Sequence, residues 1–440
     1  MPQPGDRPYD FVGVGFGPAN LALAIALEDH NARAVRGDRL TALFVERQPR
    51  FGWHRGMLID GATMQVSFLK DLVTMRDPSS DFSFLAYLRD KGRLVDFINH
   101  KTFFPTRTEF HDYFSWAAGR LGHLVRYDAE AVAVEPVDAG GEVAEFAVTV
   151  RDAAGTPRAV RARNLVIGGG LQPCLPPGVA ESERVWHNQR LLIRLAERTG
   201  PPPRRWTVIG AGQSAAEVTE YLHRTHPDAE VCSVFSRYGY SPADDSPFAN
   251  RIFDPEAVDL FHGAPEEVKR RLFDHHRGTN YSVVDLDLIE ELYRRAYQER
   301  VAGRERLRML NACKVLDVRE VPGGARTTYE FLPTGEREVL DSDVVVCATG
   351  YRPFDALGLL GPAAALCRRD GEGRPLVERD YRVSTGPSVT AGVYLQGGTE
   401  HTHGITSSLL SNGAVRAGEI LDSILARRPE HRPAASPAVR

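Results

Sequence analysis

Residues 9–18 read Tyr-Asp-Phe-Val-Gly-Val-Gly-Phe-Gly-Pro, a short apolar strand running into a glycine turn. A helix is expected to follow from Asn20 to Leu27, where the i, i+4 pairs Leu21/Ile25 and Leu23/Leu27 make more than one face apolar. Thr41–Glu46 (Thr-Ala-Leu-Phe-Val-Glu) then reads as a second strand. Strand, glycine turn, helix and strand open a doubly wound α/β unit. The pattern recurs: Trp206–Gly210 leads into Ala211-Gly212-Gln213-Ser214-Ala215-Ala216, a helix through Tyr221 and a strand Glu230–Phe235. The fold class is therefore α/β, with two Rossmann-like dinucleotide-binding domains.

Working outward, two further strand-like runs end in glycine, Asn164–Gly170 and Asp343–Gly350. The second unit is inserted between them, entered through Pro201-Pro202-Pro203. Residues 252–304 are charged, helix-periodic and poor in β-branched residues, which marks a small helical module. The expected division is 1–172 plus 344–427 for the first domain and 173–240 plus 305–343 for the second. Residues 241–304 are expected to form a small helical module, and 428–440 a Pro-rich polar tail expected to be disordered.

The 440 residues are 42% hydrophobic and 25% charged, the balance of a folded globular protein, with a net charge of −4. No strongly basic face is implied, which argues against nucleic acid as partner. The longest apolar runs, such as Leu21–Leu27, fall far short of the ~20 residues of a membrane span. The N-terminus lacks a signal-peptide pattern, so the expected location is the cytoplasm. The five cysteines (174, 232, 313, 347, 367) are odd in number and far apart. They are read as small buried hydrophobes.

A pyrophosphate needs close backbone approach and helix N–H groups aimed at its charge. Gly13 and Gly15 in the first turn, and Gly210 and Gly212 with Gln213 and Ser214 in the second, supply that pattern. Glu46 ends the second strand of the first unit, placed to accept from free ribose hydroxyls. The corresponding strand of the second unit ends in Phe235-Ser236-Arg237, where an acid is absent and Ser236 and Arg237 would receive a 2′-phosphate. The expected cofactors are therefore FAD in the first unit and NADPH in the second.

The stretch Asp343-Val344-Val345-Val346-Cys347-Ala348-Thr349-Gly350-Tyr351 resembles the Asp-x-x-x-(hydrophobic)-Ala-Thr-Gly-Tyr run of flavin-dependent N-hydroxylating monooxygenases. Six further blocks match in order along nearly the whole chain: Phe11–Leu21, Met64–Leu72, Phe104–Arg107, Asp245–Asn250, Thr279–Val284 and Glu400–Gly404. The closest resemblance is to L-ornithine N-monooxygenases of siderophore and piperazic-acid pathways. In that family NADPH reduces FAD, dioxygen adds to the flavin, and the hydroperoxide passes one oxygen to the substrate's terminal amine. The resemblance implies an amine substrate, L-ornithine, with L-lysine or a diamine as alternatives, dioxygen as co-substrate, and a homo-oligomer, tetramer or dimer.

The resemblance also carries roles, among them substrate binding for the helical module 241–304. Glu46, Trp53, His54 and Gln65 would contact FAD, with Gln65 near the reactive edge of the ring. Lys70 would pair with the substrate α-carboxylate, Asn250 would hold the α-amino acid end, and Asn280 would touch both NADP and substrate. Gln65 and Asn280 are thus the catalytic candidates. Ser408, Leu409 and Leu410 would offer backbone to the flavin and Ser411 would approach the substrate, at the start of a helix expected near Thr406. One departure stands out: the family's phosphate-reading arginine aligns with Ser236, and Arg237 sits one position later.

Plainer readings exist for each residue. Outside its block Lys70 would be a solvated surface charge. Asn250 and Asn280 would be turn formers, and Trp53 would be core. His401 and His403 suggest a metal only weakly, since further ligands are missing, and none is expected. Among other flavoproteins, a disulfide reductase needs a close cysteine pair after the first unit's turn, absent between Gly17 and Cys174. A Baeyer–Villiger enzyme needs a longer fingerprint than Trp186-His187-Asn188. A non-catalytic dinucleotide sensor would not need Lys70, Asn250 and Asn280 together.

Overall fold

The computed structural model describes residues 7–428. The expected tail, 428–440, lies outside the described residues apart from Arg428. Two five-stranded parallel sheets organise the chain. In the first, the order is Gly392–Leu395, Asn164–Ile167, Phe11–Val14, Ala42–Val45, Val125–Arg126. In the second it is Leu307–Leu310, Glu230–Val234, Arg205–Ile209, Val344–Cys347, Val185–His187. Central parallel strands are covered on both faces, so they must be apolar throughout rather than alternating. Phe11–Val14 and Val344–Cys347 are accordingly buried at every residue, and so is the edge strand Gly392–Leu395, which other elements cover.

The two units share one plan. Each runs from its glycine turn outward through two more strands, passes through a three-stranded antiparallel sheet, and returns to pair on the other side of its first strand. The antiparallel sheets are Ala129–Asp138/Val143–Asp152/Pro157–Ala162 and Cys313–Val321/Gly324–Phe331/Glu336–Ser342. The returning strands are Asn164–Ile167 and Val344–Cys347. This corrects the sequence-based boundary at 344. Asp343–Gly350 is the second unit's counterpart of Asn164–Gly170, not part of the first sheet. The chain crosses between units at Leu171–Pro173 and Tyr351–Pro353, which pair antiparallel with each other.

The first helix, Pro18–Arg33, is longer than expected. Residues 20–27 are buried all round because the helix is wedged between the sheet and the helix Gly413–Ala426. Three helices inserted between Val45 and Val125 pack an aromatic core of Phe84, Tyr87, Phe110, Tyr113 and Phe114, with Phe110 and Phe114 edge to face at 4.8 Å. In the helical region, Pro255–Gly263 and Glu266–His276 precede Leu286–Val301. The last of these packs on the second nucleotide helix, Gln213–Thr225, and feeds Leu307–Leu310. It is thus the crossover between two parallel strands, so 241–304 is not a single module.

Two smaller expectations also change. Cys174 is exposed, while the other four cysteines are buried. The helix expected near Thr406 starts at Gly413; before it come two short 3-10 turns, Ile405–Ser408 and Leu410–Asn412.

Candidate active site

Both glycine turns are built for backbone to come close. A Cβ on Gly13 would stand 2.2 Å from the Phe44 ring, and Gly15 (φ +82°) lies against the Gly168 carbonyl, 2.5 Å from where its Cβ would be. Gly210 (φ +143°) makes the equivalent approach to the Ala348 carbonyl, at 2.3 Å. Only glycine fits such positions. The helices that follow begin at Gly17 and Gly212 with no side chain capping their first N–H groups and no acid in the first turn. Those N–H groups and the helix dipole are left for an anion. Asn20, fully buried, donates from Nδ2 to the carbonyls of Val14 and Gly15 and fixes the first turn.

Glu46 ends its strand as expected. Its carboxylate accepts from the N–H of Phe16 at 2.8 Å and of Gln48 at 2.9 Å, which holds it beside the first turn. A carboxylate has about four lone-pair sites, so capacity for ribose hydroxyls remains. Trp53 packs edge-on against Phe114 at 5.1 Å and against His54 at 4.6 Å. His54 has a left-handed backbone (φ 50°) and an exposed edge, although protein packs densely around the rest of its ring. Burial first, then Arg107 and His111, lower its pKa to about 4, so the ring is neutral.

The 400–412 segment offers several buried polar atoms that a bound group would satisfy. Thr406 Oγ1, Ser408 Oγ and Asn412 Oδ1 are buried without partners, as is Asn20 Oδ1 beside the first turn. Orphaned buried polar atoms are costly and call for a polar occupant. Leu409 and Leu410 are half-buried and Ser411 is buried. Beneath this segment Arg416, only 3% exposed, donates to Gln396 Oε1 at 2.8 Å and to the Ser407 carbonyl, pinning the turn from below.

The helical region sits on the same segment: the turn Ala249–Phe253 packs on Ile405–Ser408, and Gly404 leaves room for Phe261. Lys70 is half-buried, its Nζ 6.0 Å from the centre of the Phe253 ring, and it forms no ion pair among the described residues. Asn250 lies on that same turn, its side chain donating to the Asp245 carbonyl at 2.6 Å. Asn280 follows the turn Arg277–Thr279, and its neighbour Tyr281 donates to Glu400. Lys70, Asn250 and the 405–411 turns are thus brought close together, with Asn280 linked to them through the Tyr281 contact to Glu400.

Gln65 reaches the second unit. Its Nε2 donates to Asp285 Oδ2 at 2.5 Å, and Asp285 N–H donates to Gln213 Oε1 at 2.8 Å. Gln213 Nε2 bonds Glu217 Oε1 at 3.1 Å, and Glu217 is gripped by Arg107 through two bonds of 2.9 and 2.7 Å. This pair is nearly dry, with side chains 11% and 6% exposed. Burial pushes the Asp285 carboxyl up from its ordinary value. Sequence reasoning had assigned no role to Arg107, Glu217, Asp285 or Arg416. Glu217 lies one helical turn after Gln213, but nothing local links it to Arg107. Ser214 is half-buried at the helix start, Ser236 is exposed, and Arg237 donates to the Ser282 carbonyl at 2.6 Å.

His403 is fully buried, facing Tyr381 at 4.2 Å, with Nε2 donating to the Arg379 carbonyl at 3.2 Å. No group of three or more potential metal ligands occurs among the described residues. Burial lowers its pKa to about 3. The unfolded chain, titrating near 6.5, therefore binds more protons at intermediate pH, and folding stability must fall as pH drops through that window. Stability measured by urea unfolding should lose about 1.4 kcal/mol per pH unit from His403 between pH ~6 and ~4. His403→Gln should flatten that slope; an unchanged slope would refute the assignment.

The family model described as L-lysine 6-monooxygenase/L-ornithine 5-monooxygenase matches residues 7–353. An L-ornithine N(5)-monooxygenase of Burkholderia cepacia is 42% identical over 408 residues, covering 90% of each chain. Among solved structures, the ornithine N-hydroxylase of Kutzneria sp. 744, with reduced FAD, NADP+ and L-ornithine, superposes with a TM-score of 0.92 at 49% identity, covering 96% of this chain and all of that one. The ornithine hydroxylase of Pseudomonas aeruginosa gives 0.89 at 36% identity, with coverage of 96% and 100%. On this match the chain belongs to the L-lysine 6-monooxygenase/L-ornithine 5-monooxygenase family.

Proposed function

We propose that the protein is an FAD- and NADPH-dependent monooxygenase that hydroxylates the side-chain amine of L-ornithine, for siderophore or related hydroxamate or piperazate biosynthesis. The observation that carries the reading is the half-buried, unpaired Lys70 facing the turn of Asn250, beside a segment whose buried polar atoms have no partner. FAD, when bound in the first unit, takes electrons from NADPH and activates dioxygen. Gly13, Gly15, Glu46, Trp53, His54 and the backbone of 408–410 would hold it. Gly210, Gly212, Gln213, Ser214, Ser236 and Arg237 would hold NADPH.

The chain's own contribution is placement. Lys70 supplies the counter-charge for an α-carboxylate, and Asn250 and Ser411 supply hydrogen bonds to the amino acid. Gln65 is held at the cleft by Asp285, and Asn280 would touch both NADP and substrate. An amine with a pKa near ~10.4 in water must be neutral to react, and burial lowers it. The reacting end therefore belongs in the drier part of the cleft, away from Lys70. The lysine reading differs by one methylene, worth only ~1–3 kcal/mol in an apolar pocket; the ornithine enzymes at 36–49% identity favour ornithine. Hydroxylated product measured across ornithine, lysine, putrescine and cadaverine tests this, with ornithine expected to give the highest kcat/KM.

The second site carries its own prediction. With Ser236 and Arg237 and no acid at the strand end, NADPH should reduce the bound flavin clearly faster than NADH at equal concentration. Equal rates in stopped-flow reduction would contradict it.

No helix among the described residues is long and apolar enough to cross a membrane, and we place the enzyme in the cytoplasm. A homo-oligomer, dimer or tetramer, completes the proposal. Tyr293, Tyr297 and Val301 lie exposed on one face of Leu286–Val301, where a second copy would cover apolar surface, and light scattering gives the state.

A further inference from the structure

We propose that Arg237 is a positioning residue as well as a phosphate contact: its side chain props the 279–283 loop, and with it Asn280, onto the second glycine turn. The inference rests on reading the second unit as the NADPH site. Arg237 is anchored at its backbone, where its carbonyl accepts from the Ala312 N–H at 2.8 Å. From there Nη1 donates to the Ser282 carbonyl at 2.6 Å and lies 3.4 Å from Ser241 Oγ. Among the described residues no other donor reaches that carbonyl.

The loop needs such a prop. Ser282 has a left-handed backbone (φ 58°), a conformation that costs a non-glycine residue free energy and persists only when its surroundings impose it. It lies directly on Gly212, where a Cβ would come within 3.3 Å of the Ser282 Cα. On one side the loop is tied by the Tyr281 contact to Glu400. On the other it is tied by Val284 N–H to the Ser241 carbonyl at 3.0 Å and by Asp285 N–H to Gln213. Thr279, Asn280 and Tyr281 are only half-buried and Ser282 is exposed, so apolar packing does not fix them.

A guanidinium has five N–H donors in a rigid fork. Nε and Nη2 of Arg237 have no partner among the described residues, and the side chain is exposed. One group can therefore hold the loop with one arm and receive a 2′-phosphate with the other. The placement of Asn280 and the occupancy of the phosphate position are then linked through a single side chain.

NADH separates the two roles, because it lacks the 2′-phosphate. Arg237→Met keeps most of the stem and removes every donor. In the FAD-loaded enzyme without nicotinamide nucleotide, amide hydrogen exchange of residues 279–283 should be about tenfold faster in Arg237→Met, the scale of one lost charge-assisted hydrogen bond. With NADH as reductant, the ornithine KM should also rise several-fold. Exchange and ornithine KM both at wild-type values would overturn the prop and leave Arg237 as a phosphate contact alone. Failure of the cofactor reading looks different: wild-type enzyme would use NADH and NADPH equally, while the exchange result would still decide the prop.

Discussion

Lys70→Ala should raise the KM for ornithine by roughly 30- to 1,000-fold, the equivalent of about 2–4 kcal/mol, while leaving FAD content near wild type. Lys70 is half-buried, faces Phe253 at 6.0 Å and has no carboxylate partner among the described residues. An unpaired ammonium in such a place is poised for an anion from outside the chain. It supplies a charge-assisted bond and also fixes how deep the distal amine sits. Its loss should therefore misplace the amine, and more hydrogen peroxide should form per NADPH consumed. A diamine without the carboxylate should be nearly indifferent to the change. Wild-type KM and coupling for ornithine in the mutant would make Lys70 a surface lysine and remove the substrate model.

Arg107→Ala should be among the most destabilising single changes in the protein, at about 3–5 kcal/mol, because it leaves the Glu217 carboxylate buried and unpaired. Arg107 comes from the first unit and Glu217 from the second nucleotide helix, and Arg107 also donates to the Met57 carbonyl at 3.0 Å. The pair therefore couples the two units as well as stabilising each. Thermal unfolding of Arg107→Ala should show a large fall in Tm, and the two units should begin to melt separately. Arg107→Met with Glu217→Leu should recover most of the loss, since replacing both charges by apolar groups removes the unpaired carboxylate. A single-mutant Tm within a degree or two of wild type would mean the pair carries no such load.

What the chain announces locally, it announces well. The glycine turns at 13–15 and 210–212 are legible because the strand, the positive-φ glycine and the helix start are all within a few residues of each other. Val344–Cys347 reads as a buried strand, but its four residues do not say which sheet it joins. Four apolar residues look the same in either parallel sheet, and the partner is chosen by the crossover plan, which becomes visible only once the 313–342 antiparallel sheet is placed. Leu286–Val301 was merged into the helical module for the same reason: its periodicity shows a helix but not what it crosses between. The helix start at Gly413 was missed because Gly404 and Gly413 both offer plausible starts, and the chain makes two short turns between them. Arg107–Glu217 and Gln65–Asp285 join residues 110 and 220 positions apart, and no spacing rule reaches that far. Arg237 was read for its charge alone, and its second partner, Ser282, comes from a loop that sequence cannot bring alongside.

The central claim is that this cleft transfers one oxygen atom from dioxygen to the side-chain nitrogen of ornithine at the expense of NADPH. Ornithine, dioxygen, NADPH and a proton should give N5-hydroxyornithine, water and NADP+. The most direct test supplies heavy-isotope dioxygen to the FAD-loaded enzyme with ornithine and NADPH, and analyses the product by mass spectrometry. The expected result is N5-hydroxyornithine carrying one heavy oxygen, formed in near-equal amount to the NADPH consumed. NADPH oxidised with only hydrogen peroxide formed, or heavy oxygen appearing in lysine or a diamine in preference to ornithine, would contradict it.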